Sequence, residues 1–534
     1  MGETDPINTN HQELNSKNSF WNLVLSVWNL PKAFPWVREV GVFAVMLALY
    51  LPLQQSQSFA DPDSFYHLKM AELIAAHGPV RNFIWLPFTT LATFFADQHF
   101  LYHVALIPFI KIFGPLAGVK IATAALAALA IAALAWSMRS MGIRYAALFA
   151  LAAGVMNALA FRIGLSKASA PGVALLVIGL ALAARRRTWA LAAVAFIYVW
   201  THGSWPALVG LGTMVIIIVS WPEKGDRPLM ALKRGLSPVA ALWSGAAFGV
   251  IVNPFFPQNL RFYWEQIVQI AVINYQSKIG VGAEWYPYEP ARLASDLPLV
   301  CLMAVVALVA FPAIVAVNGD ATRQKRLRLA VAISACAGTF LLLTLRSQRH
   351  VEYFVPLAVS AAAAWISEIR FSGAWPSVKK NYVAVIFVLA GALAMVMSFA
   401  ATGLARAKKD LVGGYNFTLY QKAAEYLKAN TAAGEVVLHA DWDDMPPLFY
   451  WDDKDKYVMG LDPTFMYRAN PKRYWDYVNF TLGKSDDPPS VMKELGARYV
   501  VADREHRELE TMLARSTRFS KVYTDKESVI YLFK

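Results

Sequence analysis

Apolar residues in this chain come in long unbroken runs, and the polar residues collect in the gaps between them. About eleven runs of roughly 16 to 24 residues can be drawn, each long enough to cross a hydrocarbon core of ~30 Å. They fall near 37–54, 115–137, 144–160, 170–184, 188–203, 205–221, 237–252, 296–316, 329–345, 351–369 and 381–402. With the N-terminus inside, successive crossings put five basic clusters on the cytoplasmic side: Arg139/Arg144, Arg185/Arg186/Arg187, Lys224/Arg227/Lys233/Arg234, Arg323/Lys325/Arg326/Arg328 and Arg370/Lys379/Lys380. All five obey the positive-inside rule. One more crossing would break that agreement, so the apolar piece 100–114 is read as part of an external re-entrant or interfacial region.

The pattern divides the chain in three. Residues 1–36, polar and then Trp-rich from Ser19 to Trp36, form a cytoplasmic lead-in with an interfacial helix. Residues 37–403 form a transmembrane domain whose external loops are 55–114, 161–169, 253–295 and 346–350. Residues 404–534 form a soluble domain outside the cytoplasm. There the alternation in EVVLHA (435–440) and ARYVVA (497–502) predicts strands, and 418–429 a helix. The fold class is a polytopic α-helical membrane protein of about eleven transmembrane helices with a C-terminal α/β soluble domain.

Composition supports this division. The chain is 57% hydrophobic and only 16% charged, with a mean hydropathy of +0.39, where soluble proteins carry about a quarter of charged residues. A net charge of +13 could point to nucleic acid, but the basic residues lie in short clusters between apolar runs and form no single basic face. The partners implied are membrane lipid and its head groups, with no nucleic acid. Cys301 and Cys336 both sit in apolar stretches, so there is no disulfide framework or cysteine metal site.

The candidate chemistry gathers in the external loops. The first opens with Asp61-Pro62-Asp63-Ser64-Phe65-Tyr66-His67, directly after the first run. Two carboxylates there suit Mg²⁺ or Mn²⁺, which neutralises a phosphate leaving group; the alternative is that Asp63 only caps the next helix. On the same side lie Glu284 in GAEWYP, Arg346 and Arg349 in RSQRH, Arg162 and Lys167 in FRIGLSKAS, and His202 in WTHGSW. Ionisable groups at the ends of spans are costly beside lipid unless they snorkel, pair or bind something. Carboxylates together with arginines, whose planar fork grips phosphate oxygens, describe a site for an anionic lipid head group. In the C-terminal domain Trp442, Asp443, Asp444, Tyr450 and Trp451 form either a sugar-stacking surface or a core aromatic cluster.

The Asp followed by Tyr66-His67 just after the first span resembles the first-loop motif of GT-C glycosyltransferases, most of all the catalytic subunits of oligosaccharyltransferases. The resemblance covers the whole chain in layout. It implies that Asp63, with Asp61 as fallback, is the first-loop metal ligand, Glu284 the later external carboxylate, and Arg346 or Arg349 the arginine on the lipid pyrophosphate. The chain departs from the family in three places. The stretch from Arg162 to Pro171 carries no carboxylate where the family has Asp-x-Asp. Asp441-Trp442-Asp443-Asp444 stands where the family has Trp-Trp-Asp, so recognition of a peptide sequon does not carry over. Eleven runs is also fewer than the family's thirteen spans. With these departures, the resemblance implies a divergent bacterial relative in the inner membrane.

The activity implied is transfer of a sugar or oligosaccharide from a polyprenyl-(pyro)phosphate carrier to a protein, glycan or lipid acceptor on the outer face. Asp63 or Glu284 would orient or deprotonate the acceptor, and arginines with a possible divalent ion would stabilise the departing phosphate. His67 and His202, with Arg162, Lys167, Trp442 and Asp443, join the arginines as substrate-binding candidates. Two other function classes stay open: the same fold with a polyprenyl-phosphate monosaccharide donor, and a transporter or non-catalytic scaffold for lipid-linked glycans.

Overall fold

The computed structural model describes residues 36–222, 228–316, 321–369 and 382–534. The predicted lead-in up to residue 35, and Lys224, Arg227, Arg370, Lys379 and Lys380, lie outside the described residues. Among the described residues the predicted apolar runs fall largely in helix, the run 144–160 being divided between two. In chain order the principal helices are α1 (Val37–Tyr50), α2 (Asp63–His77), α3 (Phe100–Phe113), α4 (Pro115–Ser140), α5 (Ala146–Gly154), α6 (Asn157–Gly164) and α7 (Ser169–Ala184). They continue as α8 (Thr188–Thr201), α9 (Trp205–Val219), α10 (Pro228–Ile251), α11 (Pro298–Ala316), α12 (Ala321–Arg346), α13 (Val351–Ile366) and α14 (Tyr382–Val412).

Among the described residues, three helices are long and apolar enough to cross a membrane: Val37–Gln54, α4 and α12. The number rises to five if two bent pairs each make one span. One pair is α5 with α6, which meet at 74°, and the other is Pro290–Asp296 with the start of α11, at 93°. Helices α3, α7, α8 and α9 are apolar but only 14 to 16 residues long. The structure thus gives a multi-pass helical bundle, with fewer full-length crossings by this measure than the eleven the runs predict. The piece 100–114 is itself the helix α3, packed along α4 through the turn at Gly114.

The bundle is held by close approach of small residues. α4 is rich in alanine and packs against α1 on one side and α7 on another, the arrangement that lets backbones meet where no hydrophobic drive separates helix from lipid. At one end of the bundle Arg139 meets Glu39, Arg326 meets Glu368, and the Arg144 N–H donates to Ser367. The other end carries the loops.

Those loops are covered by the C-terminal residues. β1 (Ser58–Phe59) pairs antiparallel with β2 (Tyr415–Asn416), which ties the chain emerging from α14 to the start of the first loop. Beyond it, β3 (Val436–His439), β4 (Lys456–Tyr457), β5 (Ala497–Asp503), β6 (Phe519–Thr524) and β7 (Ser528–Phe533) form a mixed sheet of order β4-β3-β5-β7-β6. Both stretches predicted as strands are strands, β3 and β5, and they run parallel. The predicted helix 418–429 is Gln421–Asn430. This layer grips the first loop through the Trp85 indole on the Asp453 carbonyl (2.8 Å), the Tyr457 N–H on the Trp85 carbonyl (2.7 Å) and Lys69 on Asp453 (3.0 Å).

Candidate active site

The chain turns sharply after α1, and α2 begins two residues beyond Asp61. The Asp61 Oδ1 accepts the Asp63 N–H at 2.9 Å, so Asp61 supports the helix start while Asp63 is the first helical residue and is itself no cap. Asp63 is left to point its carboxylate elsewhere. The partner comes from the break between α6 and α7, where the Lys167 N–H closes a tight turn on the Leu165 carbonyl (2.7 Å). The Lys167 ammonium lies 2.8 Å from Asp61 and 2.9 Å from Asp63. Arg162, on the last turn of α6, forks between Glu284 (2.6 Å) and Glu352 (3.0 Å). The other Glu284 oxygen meets Arg349 at 3.2 Å, whose guanidinium lies 4.3 Å above the Trp285 ring. The turn carrying Glu284 is pinned to the end of α12 by Ser347, which donates to the Glu284 carbonyl at 3.0 Å.

Asp61, Asp63, Glu284, Arg162, Lys167 and Arg349 are therefore brought together from four separate segments of the chain. They form a wall between two cavities. The larger, about 570 Å³, is lined on its far side by Tyr288, Arg292, Tyr415, Trp442 and Asp443. The inner one, about 120 Å³, reaches back to His67, Gln98, His99, His202 and Gln266. Asp462 borders both, and its Oδ1 caps the helix Pro463–Ala469 by accepting the Thr464 N–H at 2.8 Å.

Arg346 is not in this assembly. It is exposed, and its guanidinium donates to the Val272 carbonyl. Of the two arginines proposed for the phosphate, only Arg349 faces the cavities. The Asp441 to Asp444 stretch divides its labour: Asp441 and Asp444 make a reciprocal capping box, while Trp442 and Asp443 line the larger cavity. Tyr450 and Trp451 pack against Phe417 in the core, which decides for the structural role of those two aromatics.

Sequence reasoning missed a buried chain behind the wall. Asp97 bonds His103 at 2.7 Å, and His103 bonds His67 at 2.8 Å. Its signal was Asp97-Gln98-His99-Phe100-Leu101-Tyr102-His103, polar residues at helical spacing in a piece read for its apolarity. Glu352, buried in the first turn of α13, was missed as well; it comes directly after RSQRH and one valine. His202 is held by Ser204 at 2.7 Å and sits beside His99, with ring centroids 5.3 Å apart.

The electrostatics separate the carboxylates into two kinds. Burial works to raise Glu284, but Arg349, Arg162 and Lys167 outweigh it and hold the group well below the usual carboxylate range. Burial pushes Asp63 up to about 6 despite the opposing pull of Lys167. Asp443 is pushed up to about 8, by burial first and then by Asp63, Asp441 and Asp61. One Asp63 oxygen, Oδ1, is buried with no hydrogen-bond partner, and so are Gln98 Oε1 and Gln266 Oε1 in the inner cavity.

The donor set does not fit a divalent cation between Asp61 and Asp63. An ammonium already stands within hydrogen-bond distance of both carboxylates, and Glu284 is engaged by two guanidinium groups. Among the described residues, no group of three or more His, Cys, Asp or Glu converges in a metal-holding arrangement.

No family model matches the chain, and no curated protein does. Its structure, however, is similar to solved ones. The oligosaccharyltransferase of Archaeoglobus fulgidus, tethered with an acceptor peptide containing the NVT sequon, aligns with a TM-score of 0.59 at 13% identity, over 93% of this chain and 74% of its own. The mycobacterial arabinofuranosyltransferase AftD aligns with 0.57 at 16% identity; 93% of this chain covers 40% of it. ArnT from Cupriavidus metallidurans, bound to undecaprenyl phosphate, aligns with 0.51 at 16% identity over 93% and 98% of the two chains. This is the fold of the GT-C glycosyltransferases.

Proposed function

We propose that the protein is a membrane glycosyltransferase that takes a sugar from a polyprenyl-(pyro)phosphate donor and passes it to a hydroxyl-bearing glycan or lipid acceptor on the outer face of a bacterial inner membrane. The observation that carries this reading is Asp63: a carboxylate in the wall shared by two cavities, with one oxygen unpartnered and its affinity for a proton raised toward neutrality. A buried carboxylate oxygen without a protein partner needs a water, ion or ligand to satisfy it. A base with a pKa near working pH is the kind that transfers protons efficiently.

The larger cavity suits the donor. Arg349 and Arg292 supply charge for phosphate oxygens, and Trp442, Tyr288 and Tyr415 supply faces on which a sugar ring can stack. The inner cavity suits the acceptor. Its volume of about 120 Å³ is several times the roughly 10–15 Å³ that a single water requires. Its free acceptors, Gln98 Oε1 and Gln266 Oε1, call for hydroxyl donors. In the reaction, the acceptor hydroxyl gives its proton to Asp63 as its oxygen bonds the anomeric carbon. The bond from that carbon to the phosphate oxygen breaks, and the charge left on the phosphate is met by cations already in place.

The structural neighbours support the donor class, since ArnT is bound to undecaprenyl phosphate. The test is transfer by purified protein in liposomes supplied with lipid extract of the source organism, with monophosphate- and pyrophosphate-linked donors in competition. Consumption of one donor by the wild type but not by Asp63→Asn supports the reading. Intact wild type that consumes neither overturns it in favour of a scaffold or carrier.

A further inference from the structure

The Lys167 side chain is mostly buried, and its ammonium bridges the two carboxylates that open the first loop. It is not a loose surface cation that has drifted there. The backbone under it is fixed by the turn onto Leu165, and the preceding Ser166 accepts the Thr123 hydroxyl of α4 at 3.1 Å. An ammonium has three N–H donors, and Asp61 and Asp63 take two directions. Four carboxylates, Asp61, Asp63, Glu284 and Glu352, here face three cations, Lys167, Arg162 and Arg349, all bridged within 3.2 Å. A divalent ion on the same aspartate oxygens would share its ligands with a like charge at close range.

We propose that Lys167 is the built-in cation of this site, occupying the place between Asp61 and Asp63 that a divalent metal would need and presenting its charge to the donor phosphate across the larger cavity. The geometry has two consequences. Lys167 holds one oxygen of Asp63 and so leaves the other as the single free acceptor. It also supplies positive charge that no chelator can remove. The proposal deepens the transfer reading, but its first test needs no transfer.

That test is Mn²⁺ alone, titrated into the purified full-length protein in detergent and followed by the electron paramagnetic resonance of free Mn²⁺. Wild type is expected to show no stoichiometric site that depends on Asp63. Lys167→Ala is expected to gain one, at least tenfold tighter than any wild-type binding, and Lys167→Ala with Asp63→Asn to lose it again. A wild-type site that disappears in Asp63→Asn overturns the proposal. So does a folded Lys167→Ala protein that gains none. The wild-type measurement decides even if the variant fails to fold. In the transfer assay, chelator should leave the wild-type rate unchanged, and chelator-sensitive transfer by wild type would equally overturn the proposal.

Discussion

At the scale of single residues, the site works by treating similar groups differently. Asp63 and Glu284 are both buried carboxylates, yet Glu284 is clamped by two arginines while Asp63 shares one lysine with Asp61 and keeps an oxygen free. Asp63→Asn is therefore expected to lower transfer roughly 100- to 10,000-fold, the range for a positioned base, without loss of folded protein. Wild-type activity should fall below about pH 6 as Asp63 takes up a proton. It should also fall above about pH 8, where Asp443 loses its own and adds a negative charge beside the path of an anionic donor. Asp443→Asn should remove that alkaline limb and leave the acid one, which a pH–rate profile of the two proteins would read directly. Arg162 makes a different prediction. Its side chain is 9% exposed and that of its partner Glu352 1%, so Arg162→Met strands a buried carboxylate and should cost about 3–5 kcal/mol. Arg162→Lys should not restore it, because a point charge cannot fork between Glu284 and Glu352; thermal unfolding in detergent compares all three. All six wall residues were legible because charged groups beside long apolar runs need a reason. Glu352 and the Asp97–His103–His67 chain were not legible, because their partners lie far off in sequence or inside a stretch whose average is apolar.

At the scale of elements, the apolar runs marked where helices form but not where they bend. The run 144–160 looks continuous, yet α5 and α6 meet at 74°, and that bend is what carries Arg162 and Lys167 into the wall. The Asp-Trp-Asp-Asp stretch was ambiguous for a related reason: a capping box uses the same residue types as a binding site, and only the fold shows which carboxylate faces which way. The two-residue pairing of β1 with β2 had no sequence signal at all, although it fastens the C-terminal layer over the first loop. Its weak point is Gly414, at φ +146, where an added Cβ would run into the carbonyl oxygen of Phe59. A side chain there meets both backbone strain and backbone contact, so Gly414→Ala is expected to cost about 1–3 kcal/mol. Because the pairing sits between α14 and the first loop, cleavage by added protease near 413–418 should quicken in the variant before global unfolding sets in. Unchanged cleavage would mean that β1 and β2 do not fasten the layer.

At the scale of the whole molecule, the two ends of the bundle differ in kind. One end holds ion pairs and a hydrogen bond that link helices to one another: Arg139 pairs with Glu39 at the start of α1 and Arg326 with Glu368 after α13, and Arg328 donates to the Trp221 carbonyl after α9. The other end holds the cavities and the sheet. The basic clusters assigned to the cytoplasm from sequence, where described, include Arg139, Arg144, Arg323, Arg326 and Arg328, and their contacts gather at the end opposite the site. Residues that lie far apart in the chain thus share one end of the bundle. Basic residues at the end opposite the site predict an orientation with the site outside. With Cys301 and Cys336 replaced by alanine, a single cysteine at Lys484, on the C-terminal layer, should react with a membrane-impermeant maleimide in cells whose outer barrier has been opened. A single cysteine at Arg186, in the turn between α7 and α8, should react only after the inner membrane is also lysed. The reverse pattern would place the site in the cytoplasm, where nucleotide-linked sugars are available, and the choice of a polyprenyl-linked donor would then lose its physical reason.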